Sequence, residues 1–396
     1  MVAPTPFPGN RGTPSRILDM SQGLARLGHE VHVVSYHLKT QTPTNGITVH
    51  RIPNIPTYKK MGPGPSFQKL LVLDPLLALE VWRISQKIDF DIIHGHSYEG
   101  FLAALGTARI KKKKLIYDAH STLAGELPSY GFVNIKAVVD YLDAKVPQWS
   151  DHVVAVSETL KDFLIAKGIS PDRISVIPTG VNISQFEGHD PELIRQRYQI
   201  PTGMKIVMYT GSLANFQGVD YLIEAMKIVF RERKGVVLFL VGNSNEQKYR
   251  EMCLHSGIAD RVIITGEKPF EEIPLFLAAA DVLVSPRTDC PGIPQKLSNY
   301  MAAGRAIVSF EGSAKLLQHG KNGVVVENAN VGSMAQEIVK LLGEPARREE
   351  LGGNAKQSLM GRYDWDSLAK RTEAVYAKLL VGTHARFNTH ANREHR

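Results

Sequence analysis

The sequence predicts an α/β protein of two doubly wound domains, each a parallel sheet covered by helices on both faces. Three observations carry this. Short apolar runs alternate with helical patterns along the chain. The alternation restarts at Lys205, after a polar, proline-bounded stretch at 183–203 that reads as the hinge. And 396 residues exceed one ordinary core, suiting two domains of about 150–200 residues.

Taken in order, the first-half strands are expected at 31–35, 47–52, 91–94, 114–117, 152–156 and 174–177. Helices are expected between them at 15–27, 66–87, 99–108, 135–146 and 158–166. Gly28-His29 and Gly168-Ile169 read as helix C-caps leading into strands, the glycine taking the left-handed conformation that ends a helix. In the second half the strands fall at 205–210, 236–241, 262–265, 282–285, 306–309 and 324–326. Its helices fall at 219–230, 246–255, 271–279, 295–302 and 333–342. A last helix is expected at 366–380, followed by a polar, basic tail at 381–396 with too few core residues to order itself.

Composition is that of a globular protein, with 43% hydrophobic and 22% charged residues. No apolar run approaches the ~18–20 residues that span a bilayer, and the first residues show no signal-peptide pattern. Cys253 and Cys290 make no disulfide framework or metal-ligand spacing and fit a reducing cytoplasm. The net charge of +8 suits acidic partners. Zinc ligands, RNP-like aromatics and a basic recognition helix are all missing from the sequence, so an anionic membrane or an anionic nucleotide fits better than nucleic acid. The segment 67–88, with LLVLDPLLALEVW, is either a core crossover or a membrane-facing surface, and the four lysines at 111–114 are a solvated run beside a strand.

The segment DVLVSPRTDCPGIPQKLSNYMAAGRAIVS, 281–309, is the most informative. It reads as a buried strand, a Pro/Gly loop, a short helix and another buried strand. Doubly wound sheets bind ligands at the carboxyl ends of their strands, where a loop entering a helix offers free N–H groups to an anion. Pro291, Gly292 and Pro294 pin that loop. A second such loop, Gly9-Asn10-Arg11-Gly12, precedes the helix at 15–27 and is either a surface turn or a phosphate-facing turn.

PGIPQKLSNYMAAG resembles the nucleotide-sugar loop of the retaining GT-B glycosyltransferases of family 4, with Gly292, Pro294, Met301, Ala302 and Gly304 in register. Pro291 and Asn299 stand where that family has two glutamates. The resemblance runs over roughly residues 1–380. It implies a GT-B fold: an acceptor-side domain at 1–183, a nucleotide-sugar domain at 184–365 facing it across a cleft, and the 366–380 helix returning to the first domain. It also implies an opening strand, of which Met1-Val2-Ala3-Pro4 supplies only the end; a truncated start and a short central strand are therefore expected.

The resemblance assigns the site residues. His120, in Tyr117-Asp118-Ala119-His120, stands where the family has a histidine contacting the transferred sugar and acceptor. Asp118 is expected on the acceptor side as a support for that loop, and Glu126 as a partner for acceptor hydroxyls. Gly9, Arg11 and Gly12 match the family's glycine loop. Gly211 opens the first loop of the second half, and Ser212 and Gln217 replace the arginine and lysine that usually neutralise the donor diphosphate. Arg287 and Lys296 either compensate for that loss or are solvated charges; with Gly292, Ile293, Pro294 and Asn299 they complete the donor side. Asn299 is left to hydrogen-bond a ribose hydroxyl without a charge. Val241-Gly242-Asn243 and Thr265-Gly266-Glu267 suit the nucleobase pocket, and Pro178-Thr179-Gly180-Val181-Asn182 the interdomain segment. The implied chemistry is metal-free, cofactor-free transfer of a hexose-type sugar, with retention, to a glycan, lipid-linked or small-molecule hydroxyl. The other reading is a catalytically silent relative that binds nucleotide sugar or glycan as a scaffold.

Overall fold

The computed structural model describes residues 1–9, 12–38, 42–60, 66–127, 136–290 and 293–391. It comprises two compact units, Met1–Gly180 with Trp365–Arg396, and Val181–Asp364. The boundaries fall at 180/181 and 364/365, against expected positions of 183/184 and 365/366.

The first unit is built on seven strands: β1 (Val2–Ala3), β2 (Val31–Ser35), β3 (Ile47–Arg51), β4 (Ile92–His96), β5 (Lys114–Ala119), β6 (His152–Ala155) and β7 (Ile174–Val176). All pair in parallel, in the order β3-β2-β1-β4-β5-β6-β7. The crossovers are α1 (Gly12–Arg26), α2 (Asp74–Ser85), α3 (Ser97–Lys111), α4 (Leu123–Glu126), α5 (Lys136–Lys145) and α6 (Glu158–Ala166). Both faces are covered, as the alternation along a strand demands. Leu115 and Tyr117 of β5 join one core with Phe101, while Ile116 between them joins another with Ile17 and Leu24 of α1. The two-residue β1 lies at the centre, between β2 and β4.

The second unit repeats the plan. Its strands are β8 (Lys205–Thr210), β9 (Val236–Val241), β10 (Val262–Gly266), β11 (Val282–Ser285), β12 (Ala306–Phe310) and β13 (Val324–Val326), parallel in the order β10-β9-β8-β11-β12-β13. Its helices are α7 (Glu192–Arg197), α8 (Val219–Glu232), α9 (Glu246–His255), α10 (Ile273–Ala279), α11 (Gln295–Ala302), α12 (Val331–Gly343) and α13 (Pro345–Leu359). In each sheet the order reverses beside the first strand of the unit, between β1 and β4 and between β8 and β11. Such switch points are where open α/β sheets hold ligands.

The last helix, α14 (Trp365–Ala391), packs along α1, with Trp365 and Leu368 in one core with Ile17 and Leu24. Each apolar side chain so buried contributes about 1.5–3 kcal/mol, which fixes the C-terminal segment to the first unit.

Two expectations are corrected and a third is refined. The stretch 183–203 is not a hinge: it belongs to the second unit, forms α7, and buries Phe186 and Ile194. Its few apolar residues are spaced too widely to register among the charges. α14 runs on to Ala391 rather than ending at Leu380, because its only helix breaker there is Gly382; an unstructured 381–391 is not observed, and 392–396 lie outside the described residues. The segment 67–88 starts with a π-helical turn at Lys69–Leu73 before α2, and divides its apolar residues between two faces. Leu73, Leu77 and Val81 are buried, whereas Phe67, Leu70, Leu71 and Leu79 are exposed.

Candidate active site

In the first unit the carboxyl ends of β4 and β5 and the start of α1 meet around one carboxylate. Asp118, on β5, has no solvent exposure and accepts two hydrogen bonds from Arg16 of α1, from Nε at 3.1 Å and Nη2 at 3.0 Å. Arg16 is held in turn by the Pro178 carbonyl at 2.9 Å, with its guanidinium 5.9 Å from the Trp365 ring centre. Three imidazoles surround the same carboxylate. His96 Nδ1 lies 2.9 Å from Asp118 Oδ2, His120 Nε2 3.4 Å and His94 Nε2 3.6 Å. His94 and His96 point to one side of β4, two residues apart, and stack at 4.7 Å between ring centres. His94 Nδ1 meets the Tyr376 hydroxyl at 2.7 Å and His120 Nδ1 the Thr13 hydroxyl at 3.2 Å.

The electrostatics assign states. Burial pushes the Asp118 carboxyl up, but Arg16 and the imidazoles outweigh burial and hold it well below the usual carboxylate range. Burial pushes His94 down, and His96 well down, against the pull of Asp118, so both rings stay neutral near neutrality. A neutral His96 then donates to Asp118 through Nδ1, while His120 turns Nε2 toward the same carboxylate and Nδ1 toward the Thr13 hydroxyl. Asp118 is therefore a buried support and not an acceptor contact, which corrects the placement of Asp118 beside Glu126 at the acceptor. His94, His96 and Asp118 bring one ligand atom each within 4.8 Å of one another. Arg16 occupies both carboxylate oxygens, and its charge opposes a divalent cation there. His120 alone of the cluster has appreciable side-chain exposure, 11% against 2% or less for the others.

Around it, Gly9 and Gly12 flank the loop after β1, and Gly12 starts α1 at φ 58°; Arg11 lies outside the described residues. Glu126 closes α4, and its side chain is likewise outside them. The start of α4 is tied by Leu123 and Ala124 N–H groups donating to Asp143 at 2.9 and 3.0 Å.

In the second unit the loops after β8, β9 and β11 touch backbone to backbone. A Cβ on Gly242 would fall 1.8 Å from the Gly211 carbonyl oxygen, and one on Gly218, at φ 73°, would fall 2.1 Å from that of Pro286. Only glycine permits these approaches. Ser212 is held by its own turn: its carbonyl accepts from the Tyr209 hydroxyl at 2.6 Å and its hydroxyl from the Ala214 N–H at 3.2 Å. Asn243 donates to Glu267 at 2.7 Å across the β9 and β10 loops. Gln217 is buried and accepts at 2.8 Å from Lys296 Nζ. Lys296, in the first turn of α11 after the cap residue Pro294, is partly buried rather than a free solvated charge. Arg287 lies 5.0 Å over the exposed Phe216 ring and donates to the Asp289 carbonyl. Neither cation forms an ion pair with a described carboxylate. Asn299, three residues along α11 from Lys296, is 8% exposed, and its carboxamide has no partner among the described residues. Ile293 is exposed; Pro291 and Gly292 lie outside the described residues.

Sequence reasoning missed Arg16, His94, His96, Thr13 and Tyr209. The signal for two of them is the His-x-His at the end of β4, had that strand been carried to His96.

The sequence profile of Glycosyltransferase Family 4 matches residues 11–185, and that of Glycosyl transferases group 1 matches residues 204–344. An uncharacterized glycosyltransferase of Methanocaldococcus jannaschii is 27% identical over 373 residues, covering 90% of this chain and 92% of the relative. D-inositol 3-phosphate glycosyltransferase 1 of Catenulispora acidiphila is 24% identical over 323 residues, 75% of this chain and 74% of the relative. Among solved structures, HepE of Anabaena in complex with UDP superposes with a TM-score of 0.72 at 18% identity, over 94% of this chain and 98% of that one. With two profiles matched in order on two parallel-sheet units, the chain belongs to the family 4 type of GT-B glycosyltransferases.

Proposed function

We propose that the chain transfers a hexose-type sugar from a nucleotide diphosphate donor to an acceptor hydroxyl with retention, its own cations rather than a metal assisting departure of the diphosphate. The observation that carries this is the pair of cations, Arg287 and Lys296, without carboxylate partners among the described residues, at the β8/β11 switch point. The acceptor oxygen bonds to the anomeric carbon on the face from which the diphosphate oxygen departs, and that oxygen takes the hydroxyl proton. No dedicated carboxylate pair is then required, and cations and N–H groups supply the stabilisation. UDP held by the similarly folded HepE supports a nucleotide as ligand.

Thermal shift with a panel of nucleotide sugars tests the reading, since a ligand bound only by the native state raises Tm. On the ligand found, Asn299→Ala is expected to weaken binding by about 0.5–1.5 kcal/mol, the worth of one neutral hydrogen bond to the ribose. Asn299→Glu is expected to keep or tighten it, a charged acceptor being stronger. Calorimetry decides. Should no nucleotide sugar bind the wild type, the silent scaffold reading replaces the enzyme.

The acceptor side favours an anionic membrane surface. Phe67, Leu70 and Leu71 are exposed, as are Leu79 and Trp82 on α2, with Lys111 Nζ 5.5 Å from the Trp82 ring centre. Apolar side chains beside lysines suit an interfacial helix. The protein is expected to co-sediment with phosphatidylglycerol-containing vesicles and not with neutral ones. Leu70→Glu with Leu71→Glu should weaken this tenfold or more, each lost leucine contributing about 1.5–3 kcal/mol. Equal sedimentation of the variant would discard the membrane contact. Among the described residues no helix is long and apolar enough to cross a membrane.

A further inference from the structure

The surroundings of Lys296 are unusual for an ammonium. Its Nζ donates to two neutral oxygens, the Tyr209 hydroxyl at 2.6 Å and Gln217 Oε1 at 2.8 Å, and lies 4.1 Å from the Tyr209 ring centre. The titratable and charged groups facing it are Tyr209 from β8, and Arg287 and Cys290 from the segment between β11 and α11. Tyr300, one turn along α11, is directed to Thr210 instead, accepting from its N–H at 2.7 Å. Two hydrogen bonds leave the third N–H of an ammonium unused. Among the described residues the nearby full charge, Arg287, is of the same sign. Such a position is unfavourable for a protonated lysine until an anion arrives.

We propose that Lys296 is a proton-coupled anchor for the donor diphosphate, often uncharged in the free protein and protonated when the diphosphate is bound, so that binding takes up a proton. The proposal rests on the reading above that this unit binds a nucleotide diphosphate sugar. In the step the amine gains one proton from solvent and becomes an ammonium against a phosphate oxygen; no other bond forms or breaks. Its position supports the assignment. Lys296 stands in the first turn of α11, the end whose dipole favours an anion, and it brings a cation to Gln217, a neutral side chain on the loop after β8. Burial first, and Arg287 second, push Lys296 down to about 7 in the free protein. A bound diphosphate restores the ordinary value of about 10.4 or higher. Uptake is then about 0.1 proton at pH 6 and close to one at pH 8.5, and affinity falls about tenfold per pH unit above pH 7.

The test is calorimetry in buffers of different ionisation enthalpy at pH 6 and pH 8.5. UDP-glucose is titrated first, then GDP-, ADP- and dTDP-linked hexoses, whose diphosphate diesters do not themselves titrate near neutrality. The wild type should take up about one proton at pH 8.5 and almost none at pH 6. K296M should bind more weakly at pH 6, with no uptake and no pH dependence. Binding by the wild type without uptake at pH 8.5, or uptake that persists in K296M, overturns the anchor and leaves the transferase reading intact. Binding of none of these donors sinks that reading and the anchor with it. If K296M does not fold, the wild-type titration alone decides.

Discussion

Arg16→Met is expected to destabilise the first unit by about 3–5 kcal/mol, the cost of leaving a buried carboxylate without its partner. Arg16 and Asp118 are 1% and 0% exposed, and both carboxylate oxygens accept from the guanidinium. With Arg16 gone, three imidazoles remain around Asp118, and burial keeps two of them neutral. The double variant Arg16→Met, Asp118→Leu should recover much of the loss, since the charge and its partner leave together. Acid separates the proteins further. The folded value of Asp118 is depressed, so its contribution is present above the ordinary carboxylate range and is lost only as pH falls through that depressed value. His94 and His96 are depressed too, so the wild type begins to lose stability as pH falls below about 6.5, by up to about 1.4 kcal/mol per pH unit for each ring. In Arg16→Met the unpaired Asp118 gains from protonation, so the gap to wild type should narrow between pH 7.5 and pH 5. Urea unfolding at both pH values measures this. A single-variant cost under 1 kcal/mol, or a gap that widens in acid, would show that Arg16 does not hold the charge of Asp118.

The second sheet was legible because most of its strands are continuous apolar runs. Val236–Val241 is buried at all six positions, and no helical spacing competes with it. α7 and α13 were not legible. In α13, Leu351, Ala355 and Leu359 recur every four residues, but Gly352, Gly353 and the surrounding charges dilute the pattern. At the site, strand ends pointed to His120, Gly211 and the α11 loop, since every such end in a doubly wound sheet reaches one edge. The partners that give those residues their state were hidden for physical reasons. An arginine in a helix reads as solvent-facing until the carboxylate beneath it is known, and Arg16 and Asp118 are 102 residues apart. Ending β4 at His94 put His96 in a loop, whereas the ladder continues to His96 opposite Asp118. Lys296 was ambiguous between solvent and diphosphate because its environment comes from β8 and the segment after it, far away in sequence.

His120→Ala is expected to lower kcat by about 10²–10³ while changing donor Kd by less than about threefold, the pattern of a contact strengthened only in the transition state. The ring is fixed on two sides: Nε2 faces the Asp118 carboxylate at 3.4 Å, and Nδ1 shares the Thr13 hydroxyl at 3.2 Å. Nε2 stays on Asp118 while Nδ1 is expected to exchange the Thr13 hydroxyl for the substrate, so the ring keeps its orientation as charge develops. The buried ion pair behind it cannot replace it, because Asp118 has no exposure and both its oxygens are engaged. His120→Gln retains an amide donor of similar reach, so it should recover part of the turnover that alanine loses. Thr13→Ala removes one neutral hydrogen bond and should cost tenfold or less, as the ring still rests on Asp118. Steady-state turnover beside donor calorimetry separates the cases. Equal losses in kcat/KM and donor affinity would make His120 a donor-binding residue, and an unchanged kcat would remove it from the chemistry. Rescue of turnover by glutamine at unchanged donor affinity would place its action where the acceptor hydroxyl meets the departing sugar.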